Sequence, residues 1–232
     1  MQYKIIPKDA PELAPHYHGP ETEDPVYRQT IARMFRSDLV EFFSKVHPIV
    51  PAAIYLPVVY LSLRAALSGA GVFAVLGAVA AGGFLWTFAE YVLHRYVFHL
   101  PLAGPVSKFI YFQSHGIHHQ YPDDFYRLLM VPPVSIPLAG LFYGLFSLAL
   151  APALAAGVFA GFVLGYLAYD YTHFAVHFMK PPRSVWLAPF TLWFKAARRR
   201  HMVHHFDSHE HGYGVSTGLW DHVFGTVAVE KS

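Results

Sequence analysis

Ten of the 16 histidines in this 232-residue chain fall into four short clusters. His94 and His99 lie in EYVLHRYVFH. His115, His118 and His119 form HGIHH, His173 and His177 form HFAVH, and His201, His204 and His205 form HMVHH. On a helix turning 100° per residue, positions i, i+3 and i+4 fan over only about 100°. Each HxxHH is therefore able to aim three imidazoles at one point, and His173 and His177 share a helical face. His94 and His99, five apart, stand roughly 140° from each other on an ideal helix. The helix is expected to loosen, bulge or end between them, or each of the two serves a different metal. Random scatter of the histidines would produce about 0.07 HxxHH matches by pattern counting; the chain has two.

Neutral imidazole is a common ligand for iron, zinc, copper and nickel. Ten such ligands exceed what one ion accepts and suit two ions at four to five each. The chain has no cysteine, which excludes disulfides, thiolate zinc sites, cysteine-held iron–sulfur clusters and cysteine nucleophiles. Imidazoles packed at this density repel one another once protonated. A metal pair reverses that repulsion and ties four remote segments together, so metal is expected to organise the whole region around the clusters. A ligating histidine usually donates its other N–H to a carboxylate or carbonyl. Glu90, four residues before His94, and Asp170, three before His173, are the acidic candidates for that role. His16, His18, His47, His209, His211 and His222 lack ligand spacing and stand outside the set.

The elements that must position these histidines are apolar. Hydrophobic residues make up 54% of the chain and charged residues only 14%, against about a quarter charged in a soluble domain. Part of the surface is thus expected to face lipid. Four apolar stretches, roughly 49–67, 71–93, 131–150 and 153–175, approach or exceed the roughly 20 residues a helix needs to cross a bilayer. The links at Ser68-Gly69-Ala70 and around Ala151-Pro152 are short, which predicts two helical hairpins. The fold expected is all-α and integral to a membrane, with a cytoplasmic helical cap holding a dimetal site.

Orientation follows from the basic residues. Of 17 lysines and arginines, only Arg64 lies near the far side of the first hairpin. Basic residues flanking short loops stay cytoplasmic, so the N-terminal segment, the middle loop and the C-terminal tail share the cytoplasm. All four histidine clusters then fall on that side. The run Arg198-Arg199-Arg200 reads as anionic headgroup contact. A net charge of +2 is too small to argue for nucleic acid, and no cleavable signal peptide is apparent at the start.

Two regions are expected. Residues 1–48 form a cytoplasmic N-terminal segment, and residues 49–232 form the catalytic membrane domain. Within the first, residues 26–45 read as an amphipathic helix, with Ile31, Phe35, Leu39 and Phe42 or Phe43 at helical spacing. That helix either lies in the headgroup region or packs on the catalytic core.

These residues resemble the membrane fatty acid hydroxylase superfamily, and within it the fatty acid 2-hydroxylase branch. The likeness runs from about Phe35 to Val227, through RSDLVEFFSK, EYVLHRYVFHL, HGIHHQYPDD, RLLMVPP, GYLAYDYTHFAVHF, HMVHHF and GYGVSTGLWDHVFGT. It implies a four-span helical core with a cytoplasmic dimetal centre, expected to hold iron, although zinc accepts the same imidazoles. It also implies O2 as co-substrate and hydroxylation of the carbon next to the carbonyl of a fatty acid or lipid acyl chain. The ten ligands carry over onto the ten clustered histidines. A Tyr-Asp pair ahead of the third cluster carries over onto Tyr169 and Asp170 as site residues. Many eukaryotic relatives add an N-terminal cytochrome b5 domain with an HPGG motif. The 48-residue N-terminal region lacks that motif and is too short for the domain, so a separate cytochrome b5 or ferredoxin-type donor is expected.

Three other readings differ from this one. A di-iron desaturase or a sterol or carotenoid oxidase shares such clusters but not the full set of flanking segments. A metal-ion transporter places its ligands near the bilayer midplane, whereas these lie at helix ends and in loops. A zinc hydrolase needs fewer histidines, and no HExxH is present.

Overall fold

The structure is a computed structural model, and it describes residues 35, 37–99, 104, 111, 115–182 and 185–229. No strand forms among the described residues. The fold is all-α, with four helices long and apolar enough to cross a membrane. A short helix α1 (Asp38–Phe43) precedes them. The first hairpin pairs α2 (Ile49–Gly69) with α3 (Val72–Val92), which continues as a π-helical segment, Leu93–Phe98. A single turn α4 (Ile117–Gln120) lies in the middle loop. The second hairpin pairs α5 (Pro132–Ala149) with α6 (Pro152–Phe178). Then come α7 (Ala188–Phe206) and α8 (Leu219–Phe224). The two expected hairpins are present, and the fourth span reaches three residues past its expected end.

Helix α6 is the axis of the bundle. Its most apolar stretch is 67% buried, against 6% for α5 and 22% for α2 and for the second span. Small residues make this possible. A Cβ added at Gly82 of α3 would lie 1.9 Å from the Val158 carbonyl oxygen of α6, and one at Gly161 of α6 would lie 1.9 Å from the Val79 carbonyl oxygen. Backbone thus meets backbone, as small residues allow where lipid supplies no hydrophobic drive. Nearer the histidines the seam widens and aromatic rings fill it. Trp86 packs edge-on against Phe162 and Tyr166 at centroid separations of 5.1 and 5.3 Å, and Tyr55 meets Tyr166 at 5.1 Å. The outward faces carry Leu148, Phe73 and Leu76 in the open. Exposed apolar side chains of this extent identify the lipid face of a multi-pass membrane protein.

The helix ends are tied rather than frayed. The Tyr171 hydroxyl donates to the Pro48 carbonyl at 2.7 Å and accepts the Ala52 N–H at 3.2 Å. One α6 side chain therefore bridges a backbone N–H and a carbonyl at the start of α2.

Helix α1 occupies part of the expected amphipathic helix; residues 26–34 and 36 of that stretch lie outside the described residues. Its polarity is the reverse of an ordinary surface helix. Glu41 is buried, whereas Leu39 and Phe42 are 68% and 72% exposed. The Arg127 guanidinium explains the inversion, donating to Glu41 Oε1 at 2.6 Å and to the Ser44 carbonyl and hydroxyl at 3.0 and 2.9 Å. Arg127 also faces Asp124 Oδ2 at 3.3 Å. An ionic latch thus anchors α1 on its inner side and leaves its apolar side facing outward.

Candidate metal centre

All ten clustered histidines converge at one end of the bundle, in two groups of five. The first comprises His94, His99, His115, His119 and His204. The second comprises His118, His173, His177, His201 and His205. Within each group one nitrogen per ring lies within 4.8 Å of all the others, so each group could hold a metal ion.

The local backbone accounts for the assignments. The π segment closes the His99 N–H onto the His94 carbonyl at 3.0 Å. A bond between residues five apart makes one wider turn, which carries His94 and His99 onto a common face and into the same group. Loosening of the helix is the outcome, and both imidazoles fall in one candidate group. His173 and His177 share a face of regular α6, as their spacing predicts.

The two HxxHH motifs do not each converge on one point. His115 and His119 join the first group while His118 joins the second; His201 and His205 join the second while His204 joins the first. The i and i+4 positions of each motif stay together, and i+3 crosses over. The 100° fan that was expected to serve one point instead straddles the seam between two adjacent sites. At that seam His119 stacks on His205 with ring centroids 4.3 Å apart.

The donor set fits metal. Paired Nε2 atoms face each other at 3.0 Å in His94–His115, His99–His204 and His118–His173, and at 2.8 Å in His177–His201. Nitrogens bonded to one ion at about 2.0–2.1 Å and at right angles to each other lie about 2.9 Å apart. Burial is extreme, with His94, His201, His204 and His205 fully enclosed. Burial first, and neighbouring histidines second, hold His115, His118, His119, His201, His204 and His205 well below their ordinary pKa. Near neutral pH they are uncharged, the form that binds metal.

Backbone carbonyls orient the first group. His94 Nδ1 faces the Tyr213 carbonyl at 2.5 Å, and His204 Nδ1 faces the His211 carbonyl at 2.8 Å. Such bonds fix the tautomer that leaves Nε2 free for metal. The loop bearing those carbonyls is itself held rigidly. Asp221 accepts the Tyr213 and Gly214 N–H groups, each at 2.9 Å, and the Thr226 hydroxyl at 2.9 Å. Gly214 has no room for a side chain, since a Cβ there would lie 1.9 Å from the Thr217 carbonyl oxygen.

The two carboxylates expected beside ligand rings serve other ends. Glu90 accepts the Val215 and Ser216 N–H groups at 2.7 and 2.8 Å and a short bond from the Ser216 hydroxyl. It pins the C-terminal loop to α3 and makes no bond to His94. Asp170 is 1% exposed, and its Oδ2 has no hydrogen-bond partner among the described residues. With Tyr169, whose ring stacks on His173 at 5.8 Å, it lines a chamber of about 260 Å³ beside His115, His118 and His173. Tyr213, Asp221, Glu41 and Arg127 escaped the sequence reading. The only trace they leave is an acidic or aromatic residue within the GYG–LWDH segment and a lone Glu–Arg pair between remote segments.

Four membrane-length helices carrying paired all-nitrogen clusters at one end define a class: a histidine-rich, multi-pass protein with two groups of ligands that could each hold a metal ion. Comparison with known proteins gives the family. The profile of the Fatty acid hydroxylase family matches residues 79–226. The dihydroceramide fatty acyl 2-hydroxylase FAH1 of Arabidopsis thaliana is 34% identical over 209 residues, covering 90% of this chain and 85% of that one. The fatty acid 2-hydroxylase of Mus musculus is also 34% identical, covering 93% of this chain and 62% of that one. Among solved structures, full-length scs7p, of which only the hydroxylase domain is visible, superposes with a TM-score of 0.76 at 33% identity. That match covers 86% of this chain and 73% of the other. The chain belongs to the fatty acid hydroxylase family.

Proposed function

We propose that this protein hydroxylates carbon 2 of a lipid acyl chain at a pair of histidine-held metal ions. The observation that carries the reading is the convergence of ten imidazoles, in two groups of five, beside a chamber walled by Phe98, Met130 and Val134. The relatives named above are 2-hydroxylases of fatty acids and of fatty acyl groups in dihydroceramide. Five nitrogens per site exceed the four that structural zinc takes, which favours iron. Bound there, the metals supply activation of O2. The overall reaction turns one C–H bond into C–OH and releases the second oxygen atom as water. It consumes two electrons and two protons delivered by a separate cytochrome b5 or ferredoxin-type donor.

The chain's own residues position and shield the acyl carbon. Excluding water from the chamber protects the reaction from side products, and holding one carbon against the centre supplies the selectivity. Among the described residues of the chamber wall the one Lys or Arg is Arg127, which is already paired with Glu41 and Asp124. The Asp170 carboxyl in the same wall is placed to hydrogen-bond an amide or hydroxyl of the substrate. Tyr169 and Asp170 are proposed to place the substrate's carbonyl end. The basic-residue pattern supports a centre on the cytoplasmic side.

The test is expression in a host lacking 2-hydroxy lipids, followed by mass spectrometry of hydrolysed acyl chains. New 2-hydroxy acids, lost in His118→Ala and in His204→Ala, support the reading. A new double bond, or a hydroxylated sterol or carotenoid in place of the 2-hydroxy acid, defeats it.

A further inference from the structure

The chamber beside the histidines is small. At about 260 Å³ it falls below the roughly 300–1,000 Å³ of sites that enclose a drug-sized ligand. It accommodates the reacting end of an acyl chain, and the remaining methylenes must continue elsewhere.

Two spaces adjoin it. One lies between the spans, lined by Tyr55, Trp86, Phe142, Phe162 and Tyr166 and touching the chamber at Met130. It measures about 20 Å³, scarcely more than the roughly 10–15 Å³ that one water-sized probe needs. Close-packed aromatic rings shut that direction. The other is a groove of about 910 Å³ under α1, lined by Phe42, Val46, Val50, Tyr126 and Ile136. Phe43 and Pro133 line both this groove and the chamber, so these two side chains stand between the two spaces.

The groove lies where a membrane chain would be met. Val50 is in the first turn of α2, and Ile136 is in the first two turns of α5. These are the ends of two membrane spans, on the side of the bundle that holds the histidines. Its walls are mainly apolar, with Lys45 and His47 the polar exceptions among the described residues, and Leu39 and Phe42 extend the apolar surface outward along α1. Phe43 is the last residue of α1 and is followed by Ser44, whose carbonyl and hydroxyl are both held by Arg127. The ionic latch therefore fixes Phe43 at the junction.

We propose that the acyl chain reaches the histidine centre sideways through the groove under α1, with carbon 2 in the chamber and the methyl end in the groove. Phe43 is the specificity-determining residue at the constriction between them. The proposal rests on the acyl-lipid reading above and names the path and the residue that reading leaves open.

The test uses the full-length, metal-loaded protein in membranes with an N-acyl lipid carrying a diazirine at mid-chain. After irradiation, peptide mass spectrometry locates the adducts. Adducts on residues 42–50 and 132–137 are expected; adducts on Phe142 and Phe162 instead would overturn the proposal. In Phe43→Trp and Ile136→Trp, with metal content and melting temperature unchanged, the groove adducts and the turnover of long acyl chains should each drop at least fivefold. Undiminished labelling and turnover in both variants would also overturn it. Groove labelling without any hydroxylated product supports the path while removing the assigned reaction. Product formation with no groove labelling does the reverse.

Discussion

The imidazole of His94 meets the carbonyl oxygen of Tyr213 at 2.5 Å across a sequence separation of 119 residues. A ligand from the second span is thus oriented by a loop near the end of the chain. That loop is held from both sides, by Asp221 through its N–H groups at 213 and 214 and by Glu90 at 215 and 216. Among the described residues the C-terminal loop adds no member to either candidate group, and it still determines how one group of histidines is presented.

Replacing Asp221 with alanine frees two buried N–H groups, at about 1–3 kcal/mol each, and slackens the carbonyl on His94. Partners of this kind typically contribute 10–100-fold to metal affinity. In D221A the first histidine group should lose affinity by about that factor while the second retains its ion. Metal titration followed by elemental analysis checks this, the expected stoichiometry falling from two ions towards one. Equal loss from both sites would show that the loop acts on the whole bundle.

Because the i+3 histidine of each HxxHH crosses to the other group, neighbours in sequence should have separable effects. His204→Ala removes a donor from the group containing His94 and His99, and His201→Ala removes one from the group containing His173 and His177. Each variant should retain one tightly bound ion and release the other, with metal-sensitive spectra that differ between them. Identical spectra and identical residual binding in the two variants would contradict the crossing.

The spans were legible because the bilayer demands length and apolarity from consecutive residues, a signal that no tertiary contact is needed to read. The ten histidines were legible by type and spacing. Their division into groups was not, since helical phase determines the angle between His115 and His118 but not which side of a seam that angle falls on. Tyr213 and His211 act through backbone carbonyls, which any residue could supply, so their side chains carry no trace of the role. The reversed polarity of α1 depends on Arg127, 86 residues beyond Glu41, and a local apolar pattern contains no information about it. His94 and His99 are the instructive middle case. Their five-residue spacing required a backbone departure, and the π segment is the form it took.

Metal removal should cost the protein stability in a pH-dependent way. The imidazoles of His99, His115, His118, His119, His201, His204 and His205 all titrate well below their ordinary value in the folded chain, with burial the largest cause. Above about pH 6.5, the ordinary histidine pKa, folded and unfolded states are both neutral at these positions and acid exerts no pull. Below it the unfolded chain takes up protons that the folded chain refuses, so stability falls as pH falls. Chelated protein should melt lower than loaded protein at pH 7.5, and the chelated form should lose further stability from about pH 6.5 downward. Thermal melts with and without chelator across that range give the answer. Indistinguishable curves would mean that the histidine cap is held by packing alone.

The backbone contact between α3 and α6 gives a prediction independent of the metals. At Gly82 an added methyl would meet the Val158 carbonyl oxygen at 1.9 Å, and at Gly161 it would meet the Val79 carbonyl oxygen at the same distance. Backbone cannot rotate away as a side chain can, so the helices must separate, and overpacking of this kind costs roughly 1–3 kcal/mol or more. At Gly140 of α5 an added Cβ has nothing within 4 Å, and alanine there should be neutral or favourable by up to about 1 kcal/mol through helix propensity. Gly82→Ala and Gly161→Ala should therefore lower the melting temperature of the detergent-solubilised protein by several degrees, with Gly140→Ala at or above the parent. The separation should also be felt at the histidines, because the π continuation of α3 carries His94 and α6 carries His173, in the two different groups. A Gly82→Ala protein that melts normally and binds both ions at full affinity would show that the two spans are free to shift without disturbing the centre.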